Sequence, residues 1–235
     1  MLCITFDAES EPIVAEVDIP DDLAHVRTGR ILLWEGDEMQ TQIGTFTVKV
    51  FDVRAMATER IAPLDVFDLD GSDYFFYDAL YKRNGYEFKT SVRRIVKFGE
   101  DEPNPNLLTL DRIEIDSAHR GLGYGLNALR AIIRRSRNGI GLIAMKPFPL
   151  QFPVLPTDKS PSDPETLNFK ERLSVAKLRR YFDKLGFERL PRTDYLVRSA
   201  RLPLPAIEHR EQSGHPSFDA SYRSLNVGEK IDLPN

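Results

Sequence analysis

Arg120-Gly121-Leu122-Gly123-Tyr124-Gly125 is the stretch of this chain whose residue types and spacing best suit chemistry. Glycines at alternate positions leave one side of the backbone bare, so successive N–H groups can converge on an anion with no side chain in the way. Leu126–Ser136 behind it has helical periodicity, with Leu126, Leu129, Ile132 and Ile133 on one stripe. A helix starting there adds unpaired N–H groups and a partial positive charge. A diphosphate is the natural occupant, and Arg120 can add a charge-assisted contact or pin the loop. Two other phosphate loops do not fit. No Gly-Lys-Ser/Thr follows, which excludes a P-loop. The dinucleotide fingerprint needs glycine where Leu126 stands, and it must abut its strand, whereas Asp116–His119 intervene. A glycine-rich turn without a ligand is the plain structural alternative.

The elements that must position this bend follow from pattern. Leu107–Asp116 reads as a strand, Ser117–Gly125 as a loop, and Gly139–Met145 as a second apolar strand. Asn168–Lys184 reads as an amphipathic helix stopped at Leu185-Gly186, and Phe187–Leu190 with Thr193–Ser199 as a closing hairpin. With these in place a family resemblance emerges. Arg120-x-x-Gly123-x-Gly125 resembles the Gln/Arg-x-x-Gly-x-Gly/Ala signature of the GNAT superfamily of acetyl-CoA-dependent N-acyltransferases. Ile113-Glu114-Ile115-Asp116 resembles that family's fourth strand, and Lys177–Glu188 its helix ending in Gly-Phe. The likeness spans roughly Thr41–Ser199.

The resemblance implies an α/β (α+β) fold with a mixed, mostly antiparallel central sheet flanked by helices, its fourth and fifth strands splayed. It implies acetyl-CoA as acyl donor, with the pantetheine on main-chain groups of Ile113 and Ile115 and the diphosphate on the amides of Leu122, Gly123, Tyr124 and Gly125, beside Arg120 and Gly121. It implies acetyl transfer to a primary amine by direct attack on the thioester, with a main-chain amide steadying the oxyanion and a general base and acid moving protons. A coenzyme A-binding module without turnover, or an interaction scaffold, is the alternative. The acid and base are where the chain departs from the family. The usual tyrosine position holds Phe182. Tyr181 is adjacent, but one residue on a helix turns a side chain by about 100°, so Tyr181 serves only if the helix is rotated or shifted. The asparagine often found at the helix start is Val175. Asp111 and Glu114 are the candidate bases; regular alternation puts Asp111 on the face of Ile113 and Ile115, and Glu114 on the other.

Upstream, Thr41–Arg54 reads as a long strand with Ile43, Thr45, Thr47, Lys49, Phe51 and Val53 on one face, hairpinned to the segment beginning at Arg30. Leu2–Phe6 and Ile13–Ile19 are further strand-like runs. Ser72 or Asp73 is placed to cap a helix carrying Phe75, Phe76, Ala79 and Leu80, ended by Asn84-Gly85, with Thr90–Val96 a second short helix. Trp34 and the Phe75–Tyr77 aromatics read as core. The Pro20–Gly29 connection is too short for the two helices that the family uses to wall its acceptor pocket, so the segments 55–100 and 147–164, the latter with six prolines, are expected to replace them. Asp65, Asp68, Asp70 and Asp73 read as loop and helix-start carboxylates, or as a receiver for a cationic amine. Arg134-Arg135-Ser136-Arg137 reads as a solvated helix end, with the coenzyme's 3′-phosphate as the alternative contact. The division expected is an acyltransferase domain over 1–200 and a C-terminal tail or arm over 201–235.

Composition fits this reading. The 235 residues include 41% hydrophobic and 29% charged side chains, ordinary for a globular chain with a sizeable core. A net charge of −4 gives no basic field, so no nucleic acid is expected. The one cysteine, Cys3, excludes an internal disulfide. His25, His119, His209 and His215 lack metal-ligand spacing, so no metal is expected. No leader-like or membrane-length apolar run is seen, so a cytoplasmic protein with no membrane partner is expected. The partner expected is a small-molecule or protein amine acceptor, and a homodimer is allowed.

Overall fold

The computed structural model describes residues 2–7, 11–12, 23–35, 39–68, 71, 73–96, 103–147 and 169–206. Its strands are β1 (Leu2–Phe6), β2 (Glu11–Pro12), β3 (Ala24–Glu35), β4 (Met39–Phe51), β5 (Leu107–Ile115), β6 (Leu142–Met145), β7 (Glu188–Arg189) and β8 (Leu196–Ser199). They form one sheet in the order β1-β3-β4-β5-β6-β8-β7, with β2 also on β3. Among the described residues every pairing is antiparallel except β5 with β6. A parallel pair needs a crossover, and α5 (Tyr124–Ser136) supplies it. The remaining helices are α1 (Val53–Glu59), α2 (Pro63–Phe67), α3 (Tyr74–Leu80), α4 (Thr90–Ile95) and α6 (Phe169–Asp183). This is the mixed, mostly antiparallel α/β class expected from the sequence.

Each sheet face carries its own apolar layer. On one, Phe46, Val48, Val50, Leu108 and Leu110 meet the α5 stripe of Leu126, Leu129, Ile132 and Ile133. On the other, Phe51, Leu107, Leu142 and Val197 lie under Phe67, Tyr77, Tyr81 and Phe88 of the 55–100 segment. There Phe51 stacks on Phe67 at 4.1 Å, and the buried Tyr81 hydroxyl donates to the Pro105 carbonyl at 2.6 Å. Each such buried side chain stabilises by about 1.5–3 kcal/mol.

Two β-bulges overturn the facing expected from simple alternation. In β4, Ile31 pairs with Gly44 but Leu32 pairs with Gln42, so Ile43 is an extra residue and joins the α5-side layer instead of sharing a face with Thr45 and Thr47. In β5, Thr47 pairs with Arg112 but Val48 pairs with Leu110, which leaves Asp111 as the extra residue. Leu108 and Leu110 before it, and Ile113 and Ile115 after it, therefore pack on the same layer although their parity differs. Asp111 does not share a strand face with Ile113 and Ile115 by alternation, as the sequence reading had it, and is exposed. The β4 strand also stops at Phe51: Asp52 accepts from the Ala55 N–H at 2.9 Å and caps α1, so Val53 is a buried helix residue. Neither α1 nor α2 was anticipated. α3 is shorter than expected and ends at Leu80, and Asp73 precedes it without a side-chain cap bond.

The Asp73 carboxylate is instead ion-paired with Lys49 of β4 at 2.8 Å, both side chains at most 7% exposed. This pair ties the 55–100 segment to the sheet through an otherwise apolar layer. At the other end of the chain, Arg198 donates to the Leu202 and Pro203 carbonyls at 2.9 and 3.2 Å, and Arg130 donates to the Pro205 carbonyl. Residues 201–206 are thus strapped to the sheet and α5, not loosely attached; 207–235 lie outside the described residues, as do Ile13–Ile19, Asp70, Ser72 and 148–164. Breaking the Lys49–Asp73 pair from one side leaves a buried charge without its ion-pair partner. Lys49→Met is expected to lower unfolding free energy by about 3–5 kcal/mol, and Asp73→Leu added to it to restore most of that loss. Urea unfolding of the two variants checks this; a single-variant cost under about 1 kcal/mol would contradict it.

Candidate functional site

The site starts where two strands part. β5 and β6 pair only through Leu107–Leu142, Leu108–Ile143 and Thr109–Ala144. Beyond Thr109, β5 continues to Ile115 with β4 on one side and no β6 partner on the other. Which main-chain groups face the gap follows from two observations. The Asp116 N–H donates to the Ile43 carbonyl at 2.9 Å, so residue 116 points toward β4. A Cβ on Gly44 would lie 2.2 Å from the Glu114 carbonyl oxygen, so residue 114 points toward β4 as well. Since N–H and C=O alternate sides along a strand, the groups of Ile113 and Ile115 point into the gap. Main-chain groups that no strand pairs among the described residues need another partner. The Ile115 carbonyl already accepts from Arg120 Nε at 2.7 Å, so Arg120 pins the loop to the strand end.

After β5, a single 3₁₀ turn over Ser117–His119 leads into the bend. Gly121 and Gly123 have φ of +79° and +81°, where any L side chain is strained, and a Cβ on either would meet nothing within 4 Å. The bend is therefore open, with residues 120–123 exposed. Gly123 caps α5 without a side-chain hydrogen bond, and the first helical bonds run from Leu126 and Asn127 to the Gly123 carbonyl. The helix begins at Tyr124, two residues before the expected Leu126, so the amides of Tyr124 and Gly125 lie ahead of the hydrogen-bond ladder. These features fit a diphosphate: bare amides, a helix N-terminus and no side chain over them.

Gly125 has a different reason to be glycine. A Cβ there would lie 2.9 Å from the Tyr181 hydroxyl and 3.5 Å from Ile115 Cγ1. The tyrosine one position out of register with the family pattern is thus brought to the cradle, where β5 ends and α5 begins. Burial raises its phenol pKa well above the ordinary value, so it stays a neutral proton donor. Phe182 packs beside it at 5.5 Å between ring centroids. Of the two carboxylate candidates, Glu114 is half-buried and paired with Arg112 at 2.9 Å. Asp111 sits exposed on the bulge. Arg135 is not on the cradle; it donates to the Ile4 carbonyl at 2.7 Å and joins α5 to β1. Asp65 and Asp68 are exposed, and Asp73 is held by Lys49.

A second concavity, of about 380 Å³, lies on the opposite layer. α3, the start of α4, Lys146 after β6 and the turn between β7 and β8 line it, and it is open to solvent. The sequence reading did not single out its polar residues Asp78, Lys146 and Tyr195, and it placed Phe75 in the core, whereas that ring is 49% exposed. The available signal was the i, i+3 spacing of Phe75 and Asp78, which puts both on one helix face. Among the described residues no His, Cys, Asp and Glu group suited to a metal is present, and no helix is long and apolar enough to cross a membrane.

Solved structures with a similar chain course include a KacTA–DNA complex (14% identity over 74% of this chain and 68% of that chain, TM-score 0.35). They include AtaTR bound with AcCoA (13%, 74% and 70%, TM-score 0.35) and AtaT complexed with acetyl-methionyl-tRNAfMet (14%, 73% and 69%, TM-score 0.35). No family model matches the chain, and no curated protein matches it in sequence. At such identities and scores the likeness carries no weight on activity or ligand, which rest on the geometry above.

That geometry predicts a coupling. Gly125→Ala pushes into the Tyr181 hydroxyl and is expected to cost about 1–3 kcal/mol. In the Tyr181→Phe background, which removes the clashing oxygen, the same change is expected to cost at least about 1 kcal/mol less. A double-mutant cycle by thermal or urea unfolding measures this, and strictly additive costs would show that the two residues do not touch.

Proposed function

We propose that the chain is an acetyl-CoA-dependent N-acetyltransferase that acetylates a primary amine. The observation that carries this is the continuity of the splayed β5 edge with the open bend. Ile113 and Ile115 offer main-chain groups along the gap, and the bend and the α5 N-terminus offer bare amides at its end. An extended amide-bearing arm that terminates in a diphosphate matches both in order. Ile113 and Ile115 would hold the pantetheine, and Leu122, Gly123, Tyr124 and Gly125 the diphosphate, with Gly121 giving the loop its turn and Arg120 fixing it. Bound acetyl-CoA supplies an activated thioester carbonyl. An N–H of β5 facing the gap then offers a fixed donor where negative charge develops on oxygen, a position worth about 2.7–4 kcal/mol per donor in acyl-transfer sites.

Tyr181 is assigned the role of proton donor to the leaving thiolate, because its neutral hydroxyl sits at the junction of strand and helix. Glu114 and Asp111 are the carboxylates of the splayed segment and the two candidates for taking the ammonium proton from the acceptor. A coenzyme A-binding module without turnover is the competing reading, and Phe182 at the family's tyrosine position is the observation that favours it.

Calorimetry with coenzyme A tests the cradle. The unmodified chain should bind, and Gly123→Val should not, since valine at φ +81° both strains the bend and covers its amides. Unchanged affinity in a folded variant would refute the cradle. Turnover separates the two readings: with acetyl-CoA and an amine panel, Tyr181→Phe should lower kcat by about 10²–10⁴-fold with little change in coenzyme affinity. Because the phenol pKa is raised, the acid remains protonated through neutral and mildly alkaline pH. The kcat profile should therefore show no loss attributable to the acid below about pH 10. A tyrosine-dependent fall near neutrality would remove Tyr181 from the role. Glu114→Gln and Asp111→Asn compared in the same assay identify the base by which one lowers the rate.

A further inference from the structure

The second concavity has the size of a small-molecule site, which typically spans roughly 300–1,000 Å³. Its position relative to the gap follows from the sheet. Ala144 is the last residue of β6 paired with β5, and Lys146, two residues on, lines the cavity. The cavity therefore reaches the end of β6 just past its last pairing with β5, and its other lining residues come from α3, the start of α4 and the turn between β7 and β8. Its apolar wall includes Phe75, Leu190 and Pro191.

The charges around it are mostly spent on the protein. Lys89 Nζ donates to the Asp78 main-chain carbonyl. Asp194 is held by Arg179, and by Arg189 at 3.5 Å. Lys146 lies 5.6 Å from the Tyr195 ring centroid. The Asp78 carboxylate has no ion-pair partner among the described residues, and it shares a helix face with the exposed Phe75 ring. The lining carries the carboxylates of Asp78 and Asp194 against the ammonium groups of Lys89 and Lys146. The Tyr195 phenol pKa is raised, first by burial and then by the carboxylates of Asp78, Asp194 and Asp73. Of these carboxylates Asp73 and Asp194 are already ion-paired, so an added cation is favoured beside Asp78. A flat apolar group attached to that cation would find the Phe75 ring beside it.

We propose that this cavity is the acceptor pocket, that it takes a primary ammonium compound with a flat apolar body, and that Asp78 is its specificity-determining residue. The acceptor role rests on the acyltransferase reading above, whereas the ligand class rests on the cavity alone.

The test uses the full chain without coenzyme, titrated by calorimetry or NMR at neutral pH with phenethylamine, 2-phenylethanol and phenylacetate. Phenethylamine is expected to bind at least about tenfold more tightly than phenylacetate, a preference of the size of one charge-assisted contact. Asp78→Asn should erase that preference while leaving 2-phenylethanol binding unchanged, and Phe75→Ala should weaken both phenethylamine and 2-phenylethanol. Asp78 is exposed, and thermal unfolding confirms that the variant folds. Equal binding of the ammonium and carboxylate compounds, no binding of phenethylamine, or a preference that survives Asp78→Asn would each overturn the pocket. A parallel titration with coenzyme A keeps the two failures apart. Coenzyme A binding without ammonium preference sinks the pocket and leaves the cradle. Asp78-dependent ammonium binding without coenzyme A binding upholds the ligand class and overturns the acceptor role.

Discussion

Main-chain hydrogen bonding governs this molecule more than any one side chain. A strand inside a sheet normally has both edges paired, and β5 has both only as far as Thr109. From there to Ile115 one edge faces a gap, and among the described residues its amides and carbonyls have no strand partner. Such an edge invites pairing with another extended chain. The neighbouring structure protects and uses it: Arg120 takes the Ile115 carbonyl, the α5 N-terminus closes the far end, and Tyr181 fills the corner against Gly125.

The bulge at Asp111 belongs to the same arrangement. An extra residue breaks the alternation just beyond the last paired position of β5, which increases local twist and lets the strand leave its former neighbour. It also resets parity, so that Ile113 and Ile115 continue the apolar layer that Leu108 and Leu110 began. Arg112 and Glu114 are then paired with each other. A single inserted residue thus sets both the divergence of the strands and the identity of the side chains beside the gap.

The opposite layer is built from local helices where a longer connection was absent. α1 to α4 cover the sheet with aromatic side chains, fixed by the buried Lys49–Asp73 pair. A buried pair adds little net stability, but it penalises any arrangement in which only one partner is buried. It therefore serves to position α3, and with it the face that carries Phe75 and Asp78.

The sequence by itself determined the strand–bend–helix unit and the order of elements around it, because those depend on local terms: glycine spacing, apolar periodicity and helix stops. It also marked Arg120–Gly125 as an open glycine bend, since positive φ and bare amides are properties of the glycines themselves. Tertiary structure decided what depends on non-local pairing. The bulges at Ile43 and Asp111 arise from register between strands, which no single-strand pattern contains, and they reversed the facing expected for both residues. Tyr181 reaches the cradle because α6 is seated against Ile115 and Gly125, a rotation that spacing on one helix does not fix. The Lys49–Asp73 pair and the cavity beside Asp78 join residues far apart in the chain. They come into being only when the sheet has closed, because burial and the resulting loss of solvent screening are properties of the packed molecule.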